Sequence, residues 1–203
     1  MQNVKLLVVH IDVGFRYRDY LLKSISNVQK EKVLRYKSEL DQVRSLLSSY
    51  LINQLSNEEL LFTENGKPYF KSGPLFNVSH SGKYVVMAIS NKEVGVDIEE
   101  NVPKNMSTLL PIFNEVESKM IKEHADFYYM WCSKESLIKC MALSVGKVRE
   151  ISSLPLNGVK TYKGQDYYSK AFIYDHHIVS ITLEGNEEFD VDIEKVEHIP
   201  FII

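Results

Sequence analysis

Two stretches half a chain apart share one pattern. Tyr84 to Glu100 reads YVVMAISNKEVGVDIEE, and Ile178 to Lys195 reads IVSITLEGNEEFDVDIEK. Each is an apolar strand, a polar turn and an alternating strand ending in Asp-Ile-Glu. Asp97 and Asp192 are separated by about half of the 203 residues, as duplication of an α+β unit would produce. Two β-hairpins patterned alike by chance are the competing explanation. The echo points to an α+β chain of two similar lobes, residues 1–100 and 101–203, with Asn101-Val102-Pro103-Lys104-Asn105 as the joint.

The elements between the echoes follow from periodicity. Val4 to Ile11 reads as a strand, and from about Val28 to Leu55 the apolar residues Val33, Leu34, Leu40, Val43, Leu47, Leu51 and Leu55 recur at helical spacing. Asn65-Gly66-Lys67-Pro68 is a turn signal, residues 114 to 142 read as helices, and the tail from Lys170 reads mostly as strands. Hydrophobic residues make up 44% of the chain, enough for a well-buried core. A formal net charge of only -3 argues against a nucleic-acid binder working through gross electrostatics. Cys132 and Cys140 lie too far apart along one helix for an ordinary disulfide, and no secretory signal is evident. The longest apolar run near the start, Leu6 to Ile11, is far too short to span a membrane. The expectation is a soluble cytoplasmic protein with no membrane partner.

The chemistry concentrates in the first copy of the echo. In Val94-Gly95-Val96-Asp97-Ile98-Glu99 the two carboxylates leave one face of a strand while Val96 and Ile98 leave the other. Carboxylates that close repel unless a cation sits between them, and Mg²⁺ combines with a few carboxylates, waters and phosphate oxygens. Trp131, Glu135 and Lys139 stack along one side of a helix, with Leu137, Ile138 and Met141 facing the core. Alone, Glu135 and Lys139 would read as an exposed helical ion pair of little consequence. Beside the acidic strand, Glu135 becomes a third metal ligand or a base, and Lys134 and Lys139 become cations for phosphate.

Only the first copy follows the turn Asn77-Val78-Ser79-His80-Ser81-Gly82, which supplies hydroxyls, an imidazole and backbone donors for a phosphate. Asp192 and Glu194 in the second copy read as solvated residues of a structural strand. His80 alone would read as a satisfied structural histidine. Lys67, held between Gly66 and Pro68, either aims its ammonium inward or decorates a hairpin tip. Lys30, Lys32, Arg35 and Arg44 either grip a polyanion or keep a helix face wet.

With these residues in view, the chain closely resembles the 4'-phosphopantetheinyl transferases of the larger, two-lobed surfactin-synthetase type. The resemblance rests on Gly66-Lys67-Pro68, Asn77 to Ser81, Gly95-Val96-Asp97-Ile98-Glu99 and Trp131 to Lys139, in order and sensibly spaced. It implies a monomer whose two α+β lobes are related by a pseudo-twofold axis, with coenzyme A in the cleft between them. By that resemblance Asp97, Glu99 and Glu135 hold Mg²⁺, or Mn²⁺, against the pyrophosphate. Ser79, His80 and Lys139 contact phosphates, and His80, Lys67, Lys30 and Arg44 serve the 3'-phosphate and adenosine end. Lys134 and Glu135 help deprotonate the acceptor, a serine of an apo acyl or peptidyl carrier protein.

One departure stands out. Relatives carry a glycine-containing loop after the last lysine of the pattern, often Glu-Gly-x-Gly-Leu, where this chain has Cys140-Met141-Ala142-Leu143-Ser144. The competing functions are a Mg²⁺-dependent hydrolase of nucleotide-type pyrophosphates, and a silent module that binds coenzyme A or a carrier.

Overall fold

The computed structural model describes residues 2–103, 105, 109–201 and 203, so Lys104 of the expected joint lies outside the described residues. Strand β1 (Gln2–His10) runs into four helices, α1 (Ile11–Arg16), α2 (Arg18–Ser24), α3 (Asn27–Leu34) and α4 (Glu39–Leu55). Two short strands, β2 (Leu61–Phe62) and β3 (Pro68–Tyr69), precede β4 (Leu75–Ser81), β5 (Tyr84–Ser90) and β6 (Val94–Glu100). Helices α5 (Glu115–Met120) and α6 (His124–Cys140) follow. The chain closes with β7 (Gly158–Tyr162), β8 (Gln165–Tyr174), β9 (His177–Glu184) and β10 (Phe189–Val196).

The helical pattern expected across Val28 to Leu55 divides in two. Ser26 opens α3 with a capping box shared with Gln29, and the Ser38 hydroxyl accepts from the Asp41 N–H to open α4 afresh.

One four-stranded sheet has the order β10-β1-β5-β4 and the other β6-β9-β8-β7. Neither half of the echo is a hairpin. After its turn each crosses to the other sheet: β6 pairs antiparallel with β9, while β10 pairs parallel with β1. The expected echo is therefore a pair of crossovers that tie the two halves together.

Strand alternation builds four layers. Leu7 and Val9 of β1 and Val85 and Met87 of β5 pack against Val43, Leu46, Leu47 and Tyr50 of α4. Their neighbours Leu6, Val8, Val86 and Ala88 face the second sheet, meeting Val94, Val96, Ile98, Val179, Ile181 and Leu183. With both faces covered, these strands read as nearly continuous apolar runs. The remaining face of the second sheet lies under α6. There Ile178 packs against Phe127 and Cys132, and beside them lies a buried polar cluster in which Ser136 Oγ is 2.9 Å from both Ser180 Oγ and Thr182 Oγ1.

Gly95 sets how close α6 can come. A Cβ at this position would stand 2.0 Å from the Ser136 carbonyl oxygen and 2.4 Å from the Cys140 nitrogen. The absence of a side chain brings the helix down onto the acidic strand.

Candidate active site

Strands β4 and β6 lie side by side where the two sheets meet, joined by side chains. Asn77 Oδ1 accepts from the Val96 N–H at 2.9 Å, Ser79 Oγ donates to Asp97 Oδ1 at 2.9 Å, and Ser81 Oγ donates to Glu99 Oε2 at 2.7 Å. The Ser81 hydroxyl also accepts from the Glu100 N–H at 3.1 Å. Residues 77, 79 and 81 thus face the acidic strand as one period-2 set, and His80 faces the other way, exposed.

Sequence reasoning did not single out Asn77 and Ser81 as site residues, although their spacing about Ser79 carried the signal. It assigned the Ser79 hydroxyl to a phosphate; here that hydroxyl orients Asp97 instead.

From above, α6 presents Glu135 and Lys139 to the same seam. Lys139 Nζ donates to Asp97 Oδ1 at 2.6 Å and to Ser79 Oγ at 3.0 Å. The ion pair is thus made to the strand, and not to Glu135 along the helix. Burial works to lower the pKa of the Lys139 ammonium, and Asp97, with Glu135 behind it, more than reverses that. Glu135 is buried, which raises its carboxyl pKa; Lys139 opposes the rise, and Asp97 and Glu99 add to it.

Two carboxylate oxygens in this cluster are buried without a hydrogen-bond partner, Asp97 Oδ2 and Glu135 Oε1. Such groups are costly unless something else satisfies them. They suit a hard divalent cation in donor chemistry. Among the described residues, no three carboxylate, imidazole or thiol side chains are gathered tightly enough to hold a metal as they stand. The Lys139 ammonium meets part of the negative charge.

The other expected residues divide. Arg44, on α4, donates from Nε and Nη2 to the Gly82 carbonyl and from Nη1 to Asp41 Oδ1, so it clasps the β4–β5 turn. Crowding by protein lowers the pKa of the His80 imidazole, and the Arg44 and Lys139 cations lower it further. Of its two expected placements Lys67 takes the inward one, but its ammonium is already taken by Glu93 Oε2 at 2.6 Å and the Val94 and Cys140 carbonyls at 3.0 and 3.1 Å. Lys30 makes no side-chain hydrogen bond or ion pair among the described residues.

Lys134 is not brought to this site. It is fully buried, 3.1 Å from Glu117 of α5, and donates to the Val148 and Ile151 carbonyls. A residue next to Glu135 in sequence points about 100° away around the helix, which sequence adjacency conceals.

A cavity of about 230 Å³ opens beside Glu135 and Lys139, bounded by Lys67, Pro68, Asn77 and Val78 and by the apolar Ile138, Leu143 and Val145. The turn at Cys140 to Ser144 closes it. Ala142 has φ +51, and Asn65 Nδ2 donates to its carbonyl at 3.0 Å.

A protein-family model for the 4'-phosphopantetheinyl transferase superfamily matches residues 93–179, the span that carries Asp97, Glu99, Glu135 and Lys139. A 4'-phosphopantetheinyl transferase of Bacillus subtilis is 30% identical over 190 residues, covering 84% of this chain and 82% of its own. This chain belongs to the 4'-phosphopantetheinyl transferase superfamily. The transferase gsp of Aneurinibacillus migulanus is 37% identical over 134 residues, covering 57% of this chain and 56% of its own length. The human L-aminoadipate-semialdehyde dehydrogenase-phosphopantetheinyl transferase is 26% identical over 220 residues, covering 84% of this chain and 71% of its own. The likeness to the Bacillus transferases places the chain with the surfactin-synthetase type expected from its motifs. No helix among the described residues is long and apolar enough to cross a membrane.

Proposed function

We propose that the seam between β6 and α6 transfers the 4'-phosphopantetheine arm of coenzyme A to a serine of an apo acyl or peptidyl carrier protein, releasing 3',5'-ADP. The observation that carries this reading is the cluster of Asp97, Glu135 and Lys139 with two orphaned carboxylate oxygens, within a chain of this superfamily.

Asp97, Glu99 and Glu135 would hold Mg²⁺ or Mn²⁺, which supplies charge neutralisation at a pyrophosphate. The chain's own groups do the rest. Glu135, presented to the seam by α6 beside Lys139, is the carboxylate placed to accept the serine proton. The serine oxygen then bonds to the β-phosphorus while the bond to the 3',5'-ADP oxygen breaks. Lys139, resting on Asp97, is placed to follow the charge that builds on the leaving group and so to favour the transition state over the ground state. Ser79 keeps Asp97 in position. His80 and Lys30 are candidates for the 3'-phosphate and adenosine end. Arg44 and Lys67 serve that end indirectly, by fixing the Gly82 turn and the cavity wall. Lys134 anchors α6 beneath Glu135.

The reading includes two similar α+β lobes related by a pseudo-twofold axis in a cytoplasmic monomer, divided as residues 1–100 and 101–203 except that β6 joins the second sheet and β10 the first. Equivalent strand orders support it: β1-β5-β4 and β6-β9-β8 are both antiparallel, each beside a helix of 17 residues, α4 and α6.

Intact-mass spectrometry of apo carrier proteins incubated with the protein, coenzyme A and Mg²⁺ tests the transfer. Gain of one phosphopantetheine arm on the carrier serine, lost with EDTA, is expected. Release of free phosphopantetheine without carrier labelling would instead mark a hydrolase, and no reaction with coenzyme A still bound would mark a silent module.

A further inference from the structure

A second cavity, of about 430 Å³, adjoins the first and shares Lys67, Pro68 and Ala142 with it. Its walls are aromatic, formed by Tyr69, Phe70, Phe76 and Tyr167, and its charged groups are Lys67, Glu93 and Glu184. Lys67 and Glu93 neutralise one another at 2.6 Å. The Glu184 carboxylate, half-buried at the end of β9, has no hydrogen-bond or ion-pair partner among the described residues. Helix α6 ends against the cavity at Cys140 and Met141, so the negative end of its dipole adds to the field. The Tyr167 hydroxyl senses that field: burial raises its pKa first, and Cys140, Glu184 and Glu93 raise it further.

We propose that this cavity binds a small organic monocation, an amine or quaternary ammonium on an apolar body, with its charge toward Glu184 and its body against the aromatic walls. Net negative charge, a helix C-terminus and aromatic faces each favour a cation, and together they oppose an anion. A neutral ligand gains burial alone. The cavity's size falls in the range of about 300–1,000 Å³ typical of small-molecule sites. Asp97, Glu99 and Glu135 take no part in its lining, and Lys67 is the one residue of the transfer reading that the two cavities share. Occupancy would bear on the turn at Cys140, whose carbonyl holds Lys67, and so on the end of the helix that carries Glu135 and Lys139.

Titration of the full chain with phenethyltrimethylammonium, its neutral tert-butyl isostere and 3-phenylpropionate, followed by backbone-amide NMR, tests the proposal without any activity readout. The cation is expected to bind saturably, with the largest shifts at Tyr69, Phe76, Met141 and Tyr167. Glu184→Gln should weaken it about tenfold, the neutral isostere should bind weaker by a similar factor, and the anion should not bind. Tyr167→Ala, which removes a wall, should weaken the cation as well. Equal binding of neutral and cationic probes, unchanged affinity in Glu184→Gln, shifts confined to the Glu135–Lys139 cavity, or no saturation at about 10 mM would each overturn it.

Discussion

On one face of α6, Glu135 and Lys139 meet Asp97, and two buried carboxylate oxygens there have no partner. On another face, Lys134 meets Glu117, and the partners are complete. Glu117 Oε1 accepts from the Ser153 N–H and hydroxyl at 2.5 and 2.8 Å, and its Oε2 accepts from the Asn114 N–H at 2.9 Å. Burial alone would raise the Glu117 pKa, but these bonds and Lys134 bring it down. The contrast separates a pair built to hold the fold from a cluster left short of donors, as a site awaiting a ligand would be.

The saturated cluster has one flaw. Lys160 of β7 is also buried there, donating to Ser133 Oγ and, at 3.5 Å, to the Ser133 carbonyl. Burial first, then the nearby Lys134 charge, lowers its pKa to about 7, with Glu117 opposing. Only Lys134 is paired with the Glu117 carboxylate, and Lys160 is left with the neutral oxygens of Ser133.

The contrast can be broken most sharply at Glu135. Glu135→Gln keeps the side chain's shape and is expected to cut carrier transfer by about a hundredfold or more with no loss of thermal stability. Wild-type turnover in a well-folded variant would remove Glu135 from the chemistry. Glu117→Ala should do the opposite, costing about 3–5 kcal/mol of stability because Lys134 is left buried and unpaired; urea denaturation checks it. A mild loss would mean that the pair is not what fixes α6.

Lys160→Met sharpens the comparison through pH. The folded-state pKa lies below the unfolded value, so between about pH 7 and 10 the unfolded chain binds a proton that the folded chain lacks. Wild-type stability therefore rises with pH in that window and is flat in this group below it. Lys160→Met should be the more stable protein at pH 7, and the difference should shrink by roughly 1–2 kcal/mol by pH 9. Parallel stability profiles for the two proteins would show that Lys160 stays protonated. The smallest effect is expected at the second copy of the echo: Asp192 is exposed on β10, and Asp192→Ala should leave transfer unchanged in the same mass assay. Loss of transfer without unfolding would assign the chemistry to the wrong copy.

Much of the site was legible because period and face are local properties. The two-residue spacing of Asp97 and Glu99, and the four-residue spacing of Glu135 and Lys139, already placed each pair on one side of its element. The glycine at position 95 sat unremarked within the acidic motif, and its role was hidden until α6 was seen resting on it. Lys134 was misleading for the converse reason. It shares a motif with Glu135, yet lies on a side of the helix that meets α5 rather than β6. The turn chemistry left Lys67 either inward or at a hairpin tip, and local sequence carried no sign that Glu93, Val94 and Cys140 would take up its ammonium.

By itself the sequence determined the long helices and the strands of the echo, the faces they present and the family to which the motifs belong. Only the tertiary structure decided which element covers each face. β6 lies beneath α6 and beside β4, and the residues after each echo's turn cross to the opposite sheet. The reason is physical: backbone periodicity dictates which side chains share a side, whereas long-range packing of Gly95, Asn77 and the strand crossovers dictates what they meet there.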